Sequence, residues 1–144
     1  MKNLDVIRMM LEKTCEHNGL TILETGPVLI SKADGLEFYE GQKDWVQEAM
    51  AEQLSSGELW AAIIEGGETS RVVNRRLRGP TDPSKAQWLR PCSISGLFGI
   101  GNMKEMGAQG KVIDNGAHCS TSAKDGRREA TVVRRSFIRK RSRR

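Results

Sequence analysis

Two clusters of arginine hold most of the residues able to act on another molecule. Arg71, Arg75, Arg76 and Arg78 fall within eight positions. From Arg127 to Arg144, nine of eighteen residues are basic: Arg127, Arg128, Arg134, Arg135, Arg139, Lys140, Arg141, Arg143 and Arg144. A guanidinium grips phosphate in a planar fork and stacks on exposed bases. Charges this dense repel one another unless an anion neutralises them. Phe137 sits inside the second cluster and is placed to stack on a base. In a helix, Val132, Val133, Phe137 and Ile138 would form one apolar stripe ringed by arginine. That is the layout of an arm that folds on a polyanion, and it would also suit anionic lipid. For the first cluster the competing reading is pairing with the nearby Glu65 and Glu68.

Other constellations carry less. Cys15, His17, Cys92, His118 and Cys119 have the atoms of metal ligands, but no spaced pair of the kind zinc uses. Cys15 also lies on an apolar helical stripe, where a free cysteine is usually core. Gly99-Ile100-Gly101 followed by Lys104 offers a short backbone nest for phosphate, yet it matches neither the P-loop nor the dinucleotide fingerprint. His118, with Lys111 and Asp114 nearby in sequence, could imitate a general acid–base site for phosphodiester cleavage. Nothing in its spacing singles it out. No metal, cofactor or catalytic group is therefore expected, and the chain is not read as an enzyme.

Charge is divided unevenly along the chain. Residues 1–70 hold five Lys+Arg against thirteen Asp+Glu, and residues 71–144 hold eighteen against five. An acidic domain with a basic nucleic-acid-directed arm fits this division. So does mutual attraction of the two halves. Three irregularly spaced cysteines give no disulfide framework, which points to a reducing compartment. No apolar run reaches the length of a membrane span and no secretory leader is seen, so the expected location is intracellular, cytoplasmic or nuclear.

The elements that must position these groups are clearest in the acidic half. Leu4, Ile7, Leu11 and Cys15 share a helical face, Asn3 can cap it, and Asn18-Gly19 ends it, giving a helix over 4–17. Leu20–Leu23 reads as a strand broken by Gly26-Pro27, with extended structure resuming at Val28–Ile30. Ala33-Asp34-Gly35 reads as a turn and Leu36–Tyr39 as a returning strand. Residues 42–54 have helical spacing, and 59–64 form a buried strand leading to a Gly66-Gly67 hairpin turn. Residues 70–78 read either as a returning strand or as a helix capped by Ser70 with Arg71, Arg75 and Arg78 on one face, and the strand is favoured for the first half. Trp45 and Trp60 are expected in the core. From Gly79 onward, Gly-Pro, Asp-Pro and Arg-Pro steps and the seven glycines between 93 and 126 leave no sustained period. Residues 79–126 are expected to be mobile until a partner orders them.

These readings give an α+β protein: a small mixed helix and antiparallel-sheet domain, 1–78, followed by a poorly structured, Gly/Pro-interrupted basic extension. The extension divides into a linker or partner-ordered segment, 79–126, and an arginine-rich tail, 127–144. The expected function is a small regulatory or accessory protein that binds nucleic acid through its C-terminal arm. RNA is preferred to DNA because no helix-turn-helix, zinc finger or zipper is visible. Residues 1–78 could pair with themselves or with another protein. The alternatives are an adaptor whose tail is only an import or assembly signal, and a structural component of a ribonucleoprotein particle.

Overall fold

Apolar residues at helical spacing build the first element, α1 (Leu4–Asn18), which buries Leu11 and Cys15 and ends at Gly19 in the left-handed conformation. Burial pushes the Cys15 thiol up. Asn3 precedes the helix without a side-chain capping bond. The structure, a computed structural model, describes residues 3–114 and 116–138. The remaining elements are β1 (Thr21–Val28), α2 (Lys32–Phe38), α3 (Asp44–Leu54), β2 (Leu59–Glu65), α4 (Thr69–Val72), a π-helix (Val73–Arg78), α5 (Pro83–Leu89), α6 (Ile94–Phe98), α7 (Met103–Ala108) and α8 (Ala123–Ser136). β1 and β2 pair as a two-stranded sheet, so the fold mixes helices with a small antiparallel sheet as expected. Among the described residues no helix is long and apolar enough to cross a membrane.

The described chain divides into two units, 3–22 with 64–126, and 23–63 with 127–138. The division does not fall at residue 78, where the composition changes. It follows packing, and the packing joins segments far apart in sequence.

The second unit has a contiguous core of Val28, Ile30, Phe38, Tyr39 and Val132, with Met50, Leu54, Leu59, Ala61, Val133 and Phe137 packed against it. α2 and α3 approach closely at Gly35, where a Cβ would stand 3.1 Å from the Ala51 Cα and carbonyl oxygen. This corrects the turn read at 33–35 and the strand read at 36–39. Ser31 caps α2 by accepting from the Asp34 N–H at 3.1 Å, and Gly35 is a packing glycine inside the helix. Gly26-Pro27 does not break the strand either, since β1 runs through both. In a two-stranded sheet one side of each strand is an edge, where proline's missing N–H is tolerated. Phe137 bridges to Val28 across β1, the Leu29 N–H donates to the Ser136 carbonyl at 3.2 Å, and the Ile138 N–H donates to the Pro27 carbonyl at 3.0 Å. Tyr39 is buried; desolvation and then the Glu129 carboxylate push its hydroxyl up. Trp45 is 46% exposed rather than core, and Trp60 is half-buried.

The first unit holds most of the glycine- and proline-rich stretch, and it is helical. Each short helix begins at a side-chain cap, the device that offsets the unpaired N–H groups of a helix start. Asp82 caps α5 through Ser84 N at 3.1 Å, Ser93 caps α6 through Gly96 N at 3.2 Å, and Asn102 caps α7 through Lys104 N and Glu105 N at 3.0 and 3.2 Å. Asn102 Nδ2 also donates to Ser84 Oγ at 3.4 Å. An antiparallel bridge between Ile100 and Asp114 closes the following loop, and Asp114 Oδ1 accepts from Gly116 N at 3.0 Å. Residues 79–126, read from the sequence as a linker or partner-ordered segment, hold α5–α7 and a bridged loop. Helices of five to seven residues are too short for a 3.6 period to show in the sequence.

Unfolding experiments can test this packing at two residues. Val132 is fully buried on α8, so Val132→Ala should cost about 2 kcal/mol in denaturant unfolding. Asp82 is buried, which by itself would raise its pKa; bonds from the Ser84 hydroxyl and from the Ser84 and Met103 amides outweigh this and hold the carboxyl below its usual value. A depressed folded-state pKa stabilises the fold above the unfolded value, near pH 4, and that stability is lost as pH falls through the folded value. Melting curves between pH 2 and pH 7 should show the wild-type advantage over Asp82→Asn at neutral pH shrinking as pH falls through that window.

Candidate functional site

The first arginine cluster lies on α4 and the π-helix, not on a strand. The hairpin read at Gly66-Gly67 is instead a turn from β2 into α4. The wider π turn is closed by Gly79 N donating to the Asn74 carbonyl at 2.9 Å, an i→i+5 bond. Gly79 ends it at φ 79°, and a Cβ there would collide with the Ser93 side chain. Ser93 Oγ is itself fixed, donating to the Arg90 carbonyl at 2.7 Å.

This turn borders an open, shallow pocket of about 290 Å³ lined by Ser70, Arg71, Asn74, Arg75, Arg78 and Thr121. Arg78 is 9% exposed; its Nε donates to Asn74 Oδ1 at 3.0 Å and its Nη1 to Thr81 Oγ1 at 2.9 Å. Arg71 pairs with Glu68 at 3.5 Å across one helical turn. Arg75 is exposed on the lining. Arg76 points elsewhere, donating to Asn18 Oδ1 on α1 at 3.0 Å. The cluster therefore contributes three of its four arginines to one pocket. Of the acidic neighbours suggested by the sequence, Glu68 takes a partner from it.

Thr121, from the segment that carries His118, completes the lining. Asn74 Nδ2 donates to the Ser120 carbonyl at 2.5 Å and to the Ser70 carbonyl at 2.7 Å. The hydroxyls of Thr121 and Ser122 donate to Asp125 Oδ2 at 3.1 and 3.0 Å, and Asp125 N donates back to Ser122 Oγ at 3.1 Å, which secures the start of α8. Gly116, at φ 80°, sits against Ile94 and Phe98 of α6. His118 is exposed, two residues before the tethered Ser120. Asp114, read as its acid–base partner, instead caps Gly116. The nest read at Gly99–Lys104 is filled by the Asn102 side chain.

The described part of the second cluster, up to Ile138, packs within the second unit. Arg128 donates to the Phe38 carbonyl at 3.4 Å from Nε and 3.2 Å from Nη2. Arg135 pairs with Asp34 at 2.7 Å and with Glu37, which together hold its guanidinium firmly protonated. Arg127 and Arg134 are exposed on α8. Phe137, expected to stack on a base, packs with Gly26 and Val28 in the second unit. Arg139, Lys140, Arg141, Arg143 and Arg144 lie outside the described residues.

A family model described as nucleoside diphosphate kinase matches residues 5–137. The chain belongs to the nucleoside diphosphate kinase family. A curated relative, the nucleoside diphosphate kinase of a Nitratiruptor species, is 34% identical over 73 residues; the match covers 50% of this chain and 53% of the relative. The chain thus spans about half the length of the curated relative it matches. The solved Aquifex aeolicus nucleoside diphosphate kinase superposes with a TM-score of 0.69 at 25% identity, covering 92% of this chain and 86% of that one. A Borrelia burgdorferi family member, described as a transition-state mimic with bound vanadate and ADP, shares the fold at a TM-score of 0.73 and 21% identity, covering 97% of this chain and 86% of its own.

Membership of this enzyme family overturns the nucleic-acid-binding regulator, its adaptor and ribonucleoprotein alternatives, the RNA or DNA partner, and the expectation of no enzyme. A nuclear address loses its support with them. Affinity for phosphate, which the arginines do signal, is not affinity for a polymer. His118 does not stand out in the sequence because the contact that ties its segment to the arginines spans 46 residues, Asn74 to Ser120.

Exposure separates two roles within the pocket. Arg78→Ala removes two side-chain hydrogen bonds and buried stem area and should cost about 2 kcal/mol in unfolding experiments. Arg75→Ala, at an exposed position, should leave the melting temperature close to wild type.

Proposed function

We propose that this chain transfers a phosphoryl group between nucleotides, with His118 as the relay. The observation that carries the proposal is the tether: the segment bearing an exposed histidine is hydrogen-bonded to the turn whose arginines line a pocket. The family's name and the vanadate and ADP bound in the Borrelia relative support the same chemistry.

Phosphoryl transfer asks little covalent work of a protein. It needs positioning and compensation of the charge on the transferring group. Arg71, Arg75 and Arg78 supply fixed positive charge, and a guanidinium meets phosphate oxygens through two parallel N–H donors. The Ser70 hydroxyl adds a neutral donor on the same lining. Imidazole, as a side-chain type, presents an unprotonated nitrogen at neutral pH and forms covalent intermediates.

In the first half-reaction a His118 nitrogen attacks the terminal phosphorus of a nucleoside triphosphate. The N–P bond forms as the bond to the bridging oxygen breaks, and the electron pair leaves on the nucleoside diphosphate. In the second, the terminal oxygen of another diphosphate attacks phosphohistidine and the imidazole departs. The same arginines serve both halves, since the charge to be held is the same. Such a scheme is ping-pong.

Incubation with γ-labelled ATP should place acid-labile, alkali-stable label on the wild-type protein, and addition of a nucleoside diphosphate should remove it. His118→Ala should take up no label and lose about 10³-fold or more of the nucleotide kinase activity while melting normally. Label retained by that variant would overturn the proposal.

A further inference from the structure

The carboxamide of Asn74 faces two ways. Its Nδ2 donates to the Ser70 and Ser120 carbonyls at 2.7 and 2.5 Å, and its Oδ1 accepts from Arg78 Nε at 3.0 Å. The partners decide which end of the amide is which. Two carbonyls require a donor, and a guanidinium N–H requires an acceptor. Of the residues that share this geometry, Asp lacks the donor, Ser and Thr are too short to serve both sides, and Gln reaches one methylene further. The π-helix contributes as well, because its last i→i+5 bond starts from the Asn74 carbonyl and so fixes the backbone of the same residue.

One side chain therefore joins the two halves of the proposed machinery. On one side stands Arg78, buried and oriented by Asn74 and Thr81. On the other stands Ser120, two residues from His118. We infer that Asn74 is the positioning residue for phosphoryl transfer, setting the separation between the phosphate held by the arginines and the His118 imidazole. The inference rests on the proposed phosphotransfer. Asn74 acts through the Ser120 backbone and the Arg78 fork rather than by bonding to the reacting atoms.

The consequence is specific. Without the tether the arginine charges remain and continue to hold phosphate. The histidine segment, no longer pinned to their turn, samples positions away from the attack distance. A misplacement of about 1 Å at a reacting centre can cost about 10²-fold in rate. The loss should fall on the transfer step and not on binding.

The test is single-turnover phosphoenzyme formation from γ-labelled ATP, measured over a range of ATP concentrations on the full chain. Asn74→Ala should lower the maximal rate by at least about 10-fold and move the half-saturating concentration by less than about 3-fold. Asn74→Asp, which keeps an acceptor for Arg78 but sets an oxygen against the Ser120 carbonyl, should also lose maximal rate. Asn74→Gln should recover part of it. Asn18→Ala serves as the comparison: Asn18 makes a similar i→i−4 bond to the Thr14 carbonyl at 2.7 Å and accepts from Arg76, away from the pocket lining. It should lower the melting temperature without lowering the maximal rate.

A loss in Asn74→Ala that appears only in the half-saturating concentration would overturn the inference. So would an equal loss of maximal rate in Asn18→Ala. Both results leave the proposed function standing, provided the wild type is labelled on His118. A wild type that takes up no label would overturn the proposed function, and this inference with it.

Discussion

Four arginines within eight residues must be held side by side against their mutual repulsion, and much of the first unit is arranged around that constraint. Arg71 is offset by a carboxylate, Glu68, in an exposed pair of the kind that contributes little. Arg76 is turned onto Asn18 of α1, and Arg78 is gripped by the neutral oxygens of Asn74 and Thr81. Neutral acceptors satisfy N–H donors without cancelling their charge. The positive potential of the cluster is thereby kept and given a direction, which is what an anion-binding wall requires. Had carboxylates taken all four guanidiniums, the pocket would be electrically silent.

The stretch between Gly79 and Gly126 meets a different difficulty: it has little apolar surface with which to offset the entropy of ordering. The structure answers with local polar bonds. Asp82, Ser93, Asn102 and Ser122 each accept from a backbone N–H at the start of a helix or turn. Asn102 reaches Ser84, which Asp82 also holds, so these two caps share a partner. Ile94, Pro83 and Ser95 are fully buried at the centre. Glycine belongs in such a region for its size as well as its freedom, since a Cβ at Gly96 or Gly99 would strike the backbone or ring atoms of Arg90, Pro91, Ser95 or Pro83.

How much of this can be read from the sequence varies with the range of the interactions. The periodic elements α1 and α3 and the apolar run of β2 are legible because their patterns are local and long enough to count. α2 is not, because Ala33-Asp34-Gly35 has turn composition and its glycine is there to admit Ala51 from another helix. The arginines 71, 75 and 78 are recognisable by type as side chains suited to phosphate. That they face a histidine segment is hidden, because Asn74 and Ser120 are distant in sequence and neither is a residue whose type suggests catalysis. The apolar stripe Val132, Val133 and Phe137 is visible as a helical face, but the sequence suggests the wrong partner for it. It is buried in this chain's own second unit.

The division of charge along the sequence has the same resolution. An acidic first half and a basic second half fit a protein with a polyanion-binding arm, and they fit equally a protein whose halves attract each other. The second unit takes the latter course. Its segments come from the acidic half, 23–63, and the basic half, 127–138, and Arg135 spans them by pairing with Asp34 and Glu37 while Arg128 reaches the Phe38 carbonyl. These contacts join α8 to α2 on top of the burial of Val132. Charge on α8 that looks available for nucleic acid in the sequence is thus partly engaged by the chain's own carboxylates and carbonyls. The smaller cluster at 71–78, modest in charge count, keeps three guanidiniums on a pocket. Where a guanidinium's partners lie in the fold, and not how many arginines stand in a row, decides which of them is left facing a pocket.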